Sequence, residues 1–293
     1  MKQQILRFLG KIPFFRKKIE IIEKLWVLPG HYYSPIPSDE EIQLGSKLMM
    51  SFTDVLGVDS KSEDQFTFLK ECVEYYRSIP WNSDNLLLRY QFENDMYSYG
   101  DGIFYFFILQ RFKPKKIIEI GSGWTTALAL DVRENFGINF NLSAIEPYPE
   151  RLYQVIRPDD DLNVSEEKVQ NIPFNQFKDL GENDILFIDS SHVSKFGGDV
   201  NFIYFEILPR LNPGVLVHVH DIHSRFEYPE GWIKEGRSWN EVYILRALLS
   251  NSNRYSIVLW SDFIIKQHQE WIEENMPLCN LNPGGSIWFK VNA

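Results

Sequence analysis

The chain has 293 residues, 44% hydrophobic and 15% aromatic, enough for one large domain with an extension or for two small domains. Its 30 Lys and Arg residues stand against 40 Asp and Glu residues, a formal net charge of −10. Because a nucleic-acid-binding protein presents a basic face to the phosphates, this charge argues against nucleic acid as the main partner.

Cysteine usage and hydropathy indicate the compartment. Cys72 and Cys279 lie far apart and have no metal-type spacing, so we expect free thiols in a reducing, cytoplasmic compartment. No apolar run reaches the roughly 18 residues that span a bilayer. The N-terminus also lacks the apolar core and small-residue cleavage site of a secretory signal.

The first 30 residues differ in charge from the rest of the chain. They contain seven Lys and Arg residues and two Glu residues, interleaved with Ile, Leu and Phe. A basic amphipathic segment can lie on an anionic membrane, or it can dock on its own domain with its charges solvated. Both interpretations stay open from the sequence.

Residues 1–96 are predicted to form a helical N-terminal extension. Two segments resemble capping boxes, in which a Ser or Thr is followed three residues later by Glu or Gln. They are Ser38 with Glu41 and Ser62 with Gln65, and each precedes apolar residues at helical spacing.

From residue 115 onward, short β-rich runs alternate with helix-length stretches, which is typical of a parallel sheet covered by helices on both faces. The predicted strands are 115–120, 141–146, 167–172, 184–189, 214–221 and 254–260, and a last strand at 284–291 follows a turn. We expect residues 97–293 to form a doubly wound, Rossmann-like α/β domain. Its seven-stranded sheet would be mostly parallel with an antiparallel last strand.

A glycine-rich turn follows the first of these strands. Gly121, Ser122 and Gly123 come directly after a strand that carries Glu119, and glycines let the backbone pass close beneath a ligand. A dinucleotide fingerprint would have a third glycine where Thr126 stands, which weakens an NAD site. A ligand loop and a simple tight turn both fit this segment.

Glu146 ends the second strand, 23 residues after Gly123, where an acid can accept hydrogen bonds from a ribose diol. Its other interpretation is an exposed acid at a strand end. Gln170 could meet an adenine edge, or it could simply belong to a polar loop. Tyr99, which lies before the first strand, could contact the cofactor, or it could pack in the core.

Asp189 and His192 follow the fourth strand. Transfer of a group to a hydroxyl needs a base or a metal to act on that weakly acidic hydroxyl, and a histidine titrates near neutral pH. Asp189 could bind a metal, orient the histidine or lie beside a positive cofactor. The alternative is a polar strand end with a surface histidine.

The segments "IIEIGSG", "AIEP" and "ILFIDSSH", with the terminal antiparallel strand, resemble the class I S-adenosylmethionine-dependent methyltransferases over residues 97–293. The Asp-x-x-His after the fourth strand and the "HDI" after the fifth are similar to metal-assisted O-methyltransferases of macrolide sugars and their cephalosporin-hydroxylase-like relatives. This resemblance implies that Gly121, Ser122 and Gly123 pass beneath the methionine part of S-adenosylmethionine. It also implies that Glu119 lies near the amino group and that Glu146 holds the ribose.

The same resemblance implies Asp189 as a metal ligand and His192 as the general base. In these relatives two oxygen ligands follow the fifth strand, whereas this chain has His220 and Asp221. Because magnesium prefers oxygen ligands and imidazole suits zinc, iron or manganese, the divalent metal and the set Asp189, His220 and Asp221 stay open.

Three functions are compatible with these residues. The first is O-methylation of a small saccharide or glycosylated acceptor with His192 as the base. The second is a metal-dependent oxygenase or hydrolase that uses Asp189, His220 and Asp221. The third is a non-catalytic scaffold whose basic N-terminal segment contacts a membrane.

Overall fold

The computed structural model describes residues 25–51, 55–82 and 87–293, without the side chains of residues 49–51 and 82. Most of the basic N-terminal segment, residues 1–24, lies outside the described residues, and so does most of its expected membrane contact. Across the described ranges, no helix combines the length and the apolar character that crossing a membrane requires.

The chain divides into two compact units. The smaller is formed by Met1–Thr53 with Pro229–Ser238, and the larger by Asp54–Tyr228 with Trp239–Ala293. The expected boundary at residue 96 stays a prediction.

The α-helices of the described residues are, in chain order, α1 (Asp39–Ser51), α2 (Ser62–Tyr76), α3 (Tyr99–Phe112), α4 (Trp124–Phe136), α5 (Glu150–Val155), α6 (Asn175–Lys178), α7 (Asp199–Phe202), α8 (Glu230–Lys234), α9 (Glu241–Leu249), α10 (Ser261–Gln267) and α11 (Gln269–Asn275). A π-helical turn, Ile203–Ile207, extends α7. Short 3₁₀ turns lie at Pro80–Asn82, Val169–Asn171, Leu208–Arg210, Ser224–Phe226 and Pro277–Asn280.

Seven strands form one sheet in the larger unit. They are β1 (Lys116–Ile120), β2 (Asn141–Ile145), β3 (Asn163–Ser165), β4 (Ile185–Ile188), β5 (Leu216–His220), β6 (Tyr255–Trp260) and β7 (Ser286–Val291), in the order β3-β2-β1-β4-β5-β7-β6. The pairs from β3 to β5 are parallel, and β7 runs antiparallel to both β5 and β6. The predicted doubly wound sheet with an antiparallel last strand is confirmed.

Residue type explains why the central strands are buried. β4 consists of Ile185, Leu186, Phe187 and Ile188, all fully buried, as expected for a parallel strand covered on both faces. α3 is apolar on all sides and is buried along most of its length. Its Tyr105 ring lies 5.1 Å from that of Phe187 and 5.4 Å from that of Trp288, so this helix packs directly on the sheet.

One predicted strand is wrong. Residues 167–172 do not form a strand, because Val169–Asn171 is a 3₁₀ turn in which only Val169 is buried. The third strand is instead the three-residue β3 at the edge of the sheet, where a short, polar strand needs only one neighbour.

The two predicted capping boxes behave differently. Ser38 and Glu41 bond each other's backbone N–H groups, at 3.2 Å and 2.7 Å, and this box precedes α1. The second box does not form. Gln65 is fully buried, and its side chain accepts a hydrogen bond from the backbone N–H of Trp260 at 2.7 Å.

The strand register brings the predicted site residues to one edge of the sheet. Ile120, near the end of β1, is level with Ile145 of β2 and Ile188 of β4. In an open α/β sheet this carboxyl edge is where ligands bind. The segments that follow β1, β2, β4 and β5 therefore begin next to one another.

Candidate active site

The turn after β1 has a backbone that only glycine fits. Gly121 has φ +84, and a Cβ placed on it would lie 2.2 Å from the carbonyl oxygen of Asp189. Gly123 has φ +147, which also favours glycine, and it caps the N-terminus of α4. The turn therefore lies directly against the end of β4, and free N–H groups of the helix follow it.

Glu119 is fully buried beneath this turn. Its Oε2 accepts a hydrogen bond from the Thr126 hydroxyl, whereas Oε1 has no hydrogen-bond partner within the described residues. Burial raises the pKa of Glu119 to about 8, and hydrogen bonds from Thr126 and Thr125 only partly oppose this shift. A buried, half-satisfied carboxyl group is suited to accept a hydrogen bond from a cationic ligand group.

Glu146 joins the end of β2 to the same turn. Its Oε2 accepts a hydrogen bond from the backbone N–H of Ser122 at 3.2 Å, and its Oε1 accepts one from Tyr148 at 2.9 Å. Burial raises the pKa of Glu146. Since each carboxylate oxygen has two lone pairs, the group is fixed in place and can still accept hydrogen bonds from ligand hydroxyls.

Asp189, His192 and Asp221 converge beyond this turn. Nε2 of His192 lies 3.4 Å from Oδ1 of Asp189 and 3.4 Å from Oδ2 of Asp221. His192 (φ 57) and Asp221 (φ 56) both adopt the left-handed backbone region, which is uncommon for residues other than glycine. Such backbone strain concentrates at functional sites.

His192 is buried, and both of its ring nitrogens face carboxylates. Nδ1 lies 2.9 Å from Oε2 of Glu241, on the side opposite Asp189 and Asp221. Burial alone would lower the pKa of His192, but its interactions with Asp189 and Glu241 outweigh burial and raise the pKa to about 10. The ring is therefore protonated at neutral pH in the free protein.

A second buried histidine, His220, lies between two carboxylates. Its Nε2 is 3.6 Å from Oδ2 of Asp101, and its Nδ1 is 3.5 Å from Oδ1 of Asp189. Although burial opposes it, the charges of Asp221 and Asp189 raise the pKa of His220 well above its usual range. Asp101 also accepts hydrogen bonds from the backbone N–H of Gly285 and from the Ser286 hydroxyl.

Carboxylates and imidazoles thus alternate in one row, which we call the acid–histidine row. Its members are, in order, Asp101, His220, Asp189, His192 and Glu241. The sequence identified the three central members but did not include Asp101 or Glu241 among the site residues. Both belong to helix first turns far away in the chain, and no local pattern connects them to the strand ends.

The set Asp189, His220 and Asp221 does not fit a shared metal ion. Both ring nitrogens of His220 face carboxylates, at 3.6 Å and 3.5 Å, and these neighbours favour a proton on each nitrogen over a bond to a metal. Among the residues that the structure describes, no group of three or more His, Cys, Asp or Glu side chains is arranged to hold a metal ion. The raised pKa values of His192 and His220 favour positive charge on these rings, between the carboxylates.

The remaining predicted contacts lie at the borders of this region. The Tyr99 hydroxyl donates to Glu93, and its ring stacks on Phe92 at 4.9 Å. Gln170 donates to the carbonyl oxygen of Gly197, at 2.8 Å, in the segment that follows β4. The roles of Tyr99 and Gln170 toward a cofactor stay predictions.

His218, two residues before His220, is a core residue. It is fully buried, stacks on Phe187 at 3.7 Å and has its Nε2 3.4 Å from the hydroxyl of Tyr97. Burial and the charge of His220 hold its pKa well below the usual range. His218 is therefore neutral.

A comparison with protein families matches residues 118–222 to the family described as "Methyltransferase domain". This range includes the glycine turn and also Glu119, Glu146, Asp189 and His192. It ends one residue after Asp221.

A relative of this chain is an uncharacterized protein from Archaeoglobus fulgidus. The two are 32% identical over 165 residues, which make up 53% of this chain and 74% of the relative.

Solved structures with a similar chain path include two methyltransferases. The plantazolicin methyltransferase BpumL in complex with SAH aligns with a TM-score of 0.43 and 14% identity, over 80% of this chain and 99% of that one. The SAH-bound methyltransferase PaMTH1 of Podospora anserina aligns with a TM-score of 0.42 and 16% identity, over 89% of this chain and 99% of that one.

Proposed function

This chain belongs to the same protein family as the Archaeoglobus fulgidus protein and carries a methyltransferase domain of the S-adenosylmethionine-dependent kind, and on this premise we propose that it methylates a hydroxyl group of a small saccharide or glycosylated acceptor. The observation that carries the proposal is an unbroken series of contacts from the predicted cofactor residues to the predicted base. Ser122 bonds Glu146, the turn at Gly121 lies against Asp189, and Asp189 faces His192. One surface therefore combines a cofactor cradle with a base.

The residues around the glycine turn fit S-adenosylmethionine. Gly121 and Gly123 leave room for the methionine part to lie close to the backbone, and Ser122 lies between them. The partnerless Oε1 of Glu119 can accept a hydrogen bond from the ammonium group of the cofactor. Glu146, held by two backbone N–H groups, can accept hydrogen bonds from the ribose hydroxyls.

His192 is the proposed base. When bound, S-adenosylmethionine would supply a methyl group on a positive sulfonium, whose sulfur would keep the bonding electron pair as the methyl leaves. Nε2 of His192 takes the proton of the acceptor hydroxyl as the hydroxyl oxygen attacks the methyl carbon. The ring must be neutral for this step, and a positive cofactor beside Asp189 favours the neutral ring because like charges lower the pKa of an imidazole.

Aromatic rings beside the base support a saccharide acceptor. The ring of Trp239 lies 4.4 Å from that of His192, and Tyr228 meets Trp239 edge to face at 5.6 Å. Such rings offer an apolar face on which the C–H groups of a sugar can pack. The similarity of the Asp189–His192 segment to macrolide-sugar O-methyltransferases supports the same acceptor class.

A radiolabelled transfer assay tests this function. Wild-type protein, incubated with methyl-labelled S-adenosylmethionine and a panel of glycosides, is expected to label at least one acceptor. His192→Ala is expected to reduce the rate about 10²-fold or more, while His31→Ala, at an exposed histidine of the smaller unit, keeps the wild-type rate. Absence of cofactor binding at millimolar concentration, or an unchanged rate in His192→Ala, would refute the proposal.

The metal-dependent oxygenase or hydrolase has less support, because the row pairs both ring nitrogens of His220 with carboxylates. A non-catalytic scaffold gives no reason to keep four carboxylates and two histidines together in a largely buried cluster, which is costly for stability. We therefore favour methyl transfer.

We propose in addition that the smaller unit contacts anionic membranes. The described residues 25–33 expose a set of aromatic side chains: Trp26 is 81% exposed, Tyr32 74% and Tyr33 56%. Trp and Tyr are enriched where proteins meet the membrane interface. The basic residues of the preceding sequence provide the charge that anionic lipids attract.

A further inference from the structure

Glu241, the first residue of α9, is in direct contact with the proposed base. Its side chain is fully buried. Its Oε2 accepts a hydrogen bond from the Ser190 hydroxyl at 2.8 Å and lies 2.9 Å from Nδ1 of His192. One carboxylate oxygen therefore binds two residues of the segment that follows β4.

The backbone at the start of α9 also binds the backbone of His192. The N–H groups of Asn240 and Glu241 donate to the carbonyl oxygen of His192, at 3.0 Å and 3.2 Å. The side chain of Asn240 accepts a hydrogen bond from the backbone N–H of Ser194 at 2.6 Å. These bonds hold the left-handed backbone at His192, and they fix the ring relative to Glu241.

An ordinary helix-capping role does not account for this arrangement. Acids favoured by the helix dipole lie at exposed first turns, where water solvates the charge. Glu241 instead is inaccessible to water. Burial of a carboxylate is costly for stability, so stability alone does not explain its presence.

The Glu241 carboxylate affects which nitrogen of the His192 imidazole carries the proton. A neutral imidazole carries one proton, on either Nδ1 or Nε2, and the partner of each nitrogen decides which. A carboxylate can only accept a hydrogen bond, and each ring nitrogen of His192 faces at least one carboxylate. Glu241 is the nearest, 2.9 Å from Nδ1, whereas Asp189 and Asp221 each lie 3.4 Å from Nε2, so Glu241 favours the proton of the neutral ring on Nδ1. The lone pair of the neutral ring then lies on Nε2, which faces Asp189 and Asp221.

We propose that Glu241 is a positioning residue that fixes the tautomer and the orientation of His192, so that Nε2 of the neutral ring accepts the acceptor proton. This inference rests on the proposed methyl transfer. Glu241 does not touch the reacting atoms and acts through His192.

The test compares Glu241→Gln with Glu227→Gln in the full chain. The amide keeps the shape of Glu241 but can present an N–H group to Nδ1, which favours the proton on Nε2. Glu227 is the matched control. It is also a glutamate whose Oε2 accepts a side-chain hydroxyl hydrogen bond, from Tyr243 at 2.8 Å, but it lies outside the acid–histidine row. For Glu241→Gln we expect kcat to fall about 10²-fold, with the KM for S-adenosylmethionine within about twofold of wild type. Glu227→Gln is expected to keep both values.

A spectroscopic measurement separates this inference from the proposed function. Nitrogen NMR of protein labelled at histidine reports which ring nitrogen of His192 is protonated when the ring is neutral, whether or not an acceptor is known. We expect Nδ1–H in the wild type and a shift toward Nε2–H in Glu241→Gln. Nε2–H in the wild type, or the same spectrum in both proteins, would overturn the inference even if methyl transfer is observed. A wild-type Nδ1–H signal without any methyl transfer would refute the proposed function alone.

Discussion

The backbone N–H of Ser122 donates a hydrogen bond to Oε2 of Glu146 at 3.2 Å. This bond joins the turn after β1 to the end of β2, so two segments that lie 24 residues apart form one surface. Proteins that bind a nucleoside at this edge need both parts, a turn that admits the ligand and an acid that accepts its hydroxyls.

Gly121→Ala is expected to destabilise the protein and abolish cofactor binding. The new Cβ would lie 2.2 Å from the carbonyl oxygen of Asp189, in addition to the cost of φ +84 for alanine. Together these give a loss of about 2–5 kcal/mol in the free energy of unfolding, measured by chemical denaturation. Gly137→Ala is the matched control, because its φ is +64 and no atom lies within 4 Å of the added Cβ. It should lose about 1 kcal/mol and keep its ligand affinity, and equal losses in both variants would contradict the steric argument.

Cofactor binding is expected to strengthen as the pH rises toward 8. Burial raises the pKa of Glu119 to about 8 in the free protein, so the carboxyl group is mostly protonated at neutral pH. A cationic ammonium group binds the ionised form, and binding below pH 8 should therefore release a proton. Calorimetric titration in buffers with different ionisation enthalpies measures that release. In Glu119→Gln the proton release should fall, leaving at most the part that comes from His192; an unchanged release would place the titrating group elsewhere.

The pH dependence of methyl transfer should follow His192. Its pKa is raised to about 10, so the fraction of neutral base increases as the pH rises through 7, 8 and 9. We expect kcat/KM, which reports the free enzyme, to rise with pH over this range and to level off near pH 10. A profile that levels off near pH 6.5 would show that the carboxylates do not stabilise the imidazolium in solution.

Chelation of divalent metals should leave the methyl transfer rate within about twofold of its original value. Both ring nitrogens of His220 face carboxylates, so the donor set does not favour a metal. The rate is compared before and after dialysis against a chelator, with metal analysis of the same samples. Loss of activity that magnesium or manganese restores would contradict the assignment of the charge to the two histidines.

Binding of the protein to vesicles should depend on anionic lipid and on the exposed aromatic residues. Sedimentation with vesicles that contain phosphatidylserine is expected to recover more protein than sedimentation with phosphatidylcholine alone. Trp26→Ala should reduce the recovery, because its side chain is 81% exposed. Leu281→Ala, at an exposed leucine of the larger unit, should not. Equal recovery with both lipids would count against the membrane contact.

The sequence predicted those features that depend on local patterns. The runs that became β1, β4 and β5 consist of apolar residues, many of them β-branched, and a turn with two glycines has few alternatives to a tight loop. Gly121, Glu146 and His192 therefore meet at one edge, as expected. The alternation of strands and helices was sufficient to predict a doubly wound, mostly parallel sheet with an antiparallel last strand.

Features that depend on distant contacts were missed. Gln65 fits a capping box locally, but its side chain bonds the backbone of Trp260, 195 residues further along the chain. Asp101 and Glu241 are acids in the first turns of two helices, and their contacts with His220 and His192 exist only in the folded chain. The edge strand β3 has too few apolar residues to be recognised.

The close approach between Gly121 and Asp189 has a mechanical consequence. A carbonyl oxygen occupies the space where any side chain at residue 121 would begin, so the two segments touch without an intervening layer. Neither can shift without pushing the other. A ligand that displaces the first turn would therefore push directly on the segment that carries the carboxylate facing the histidine.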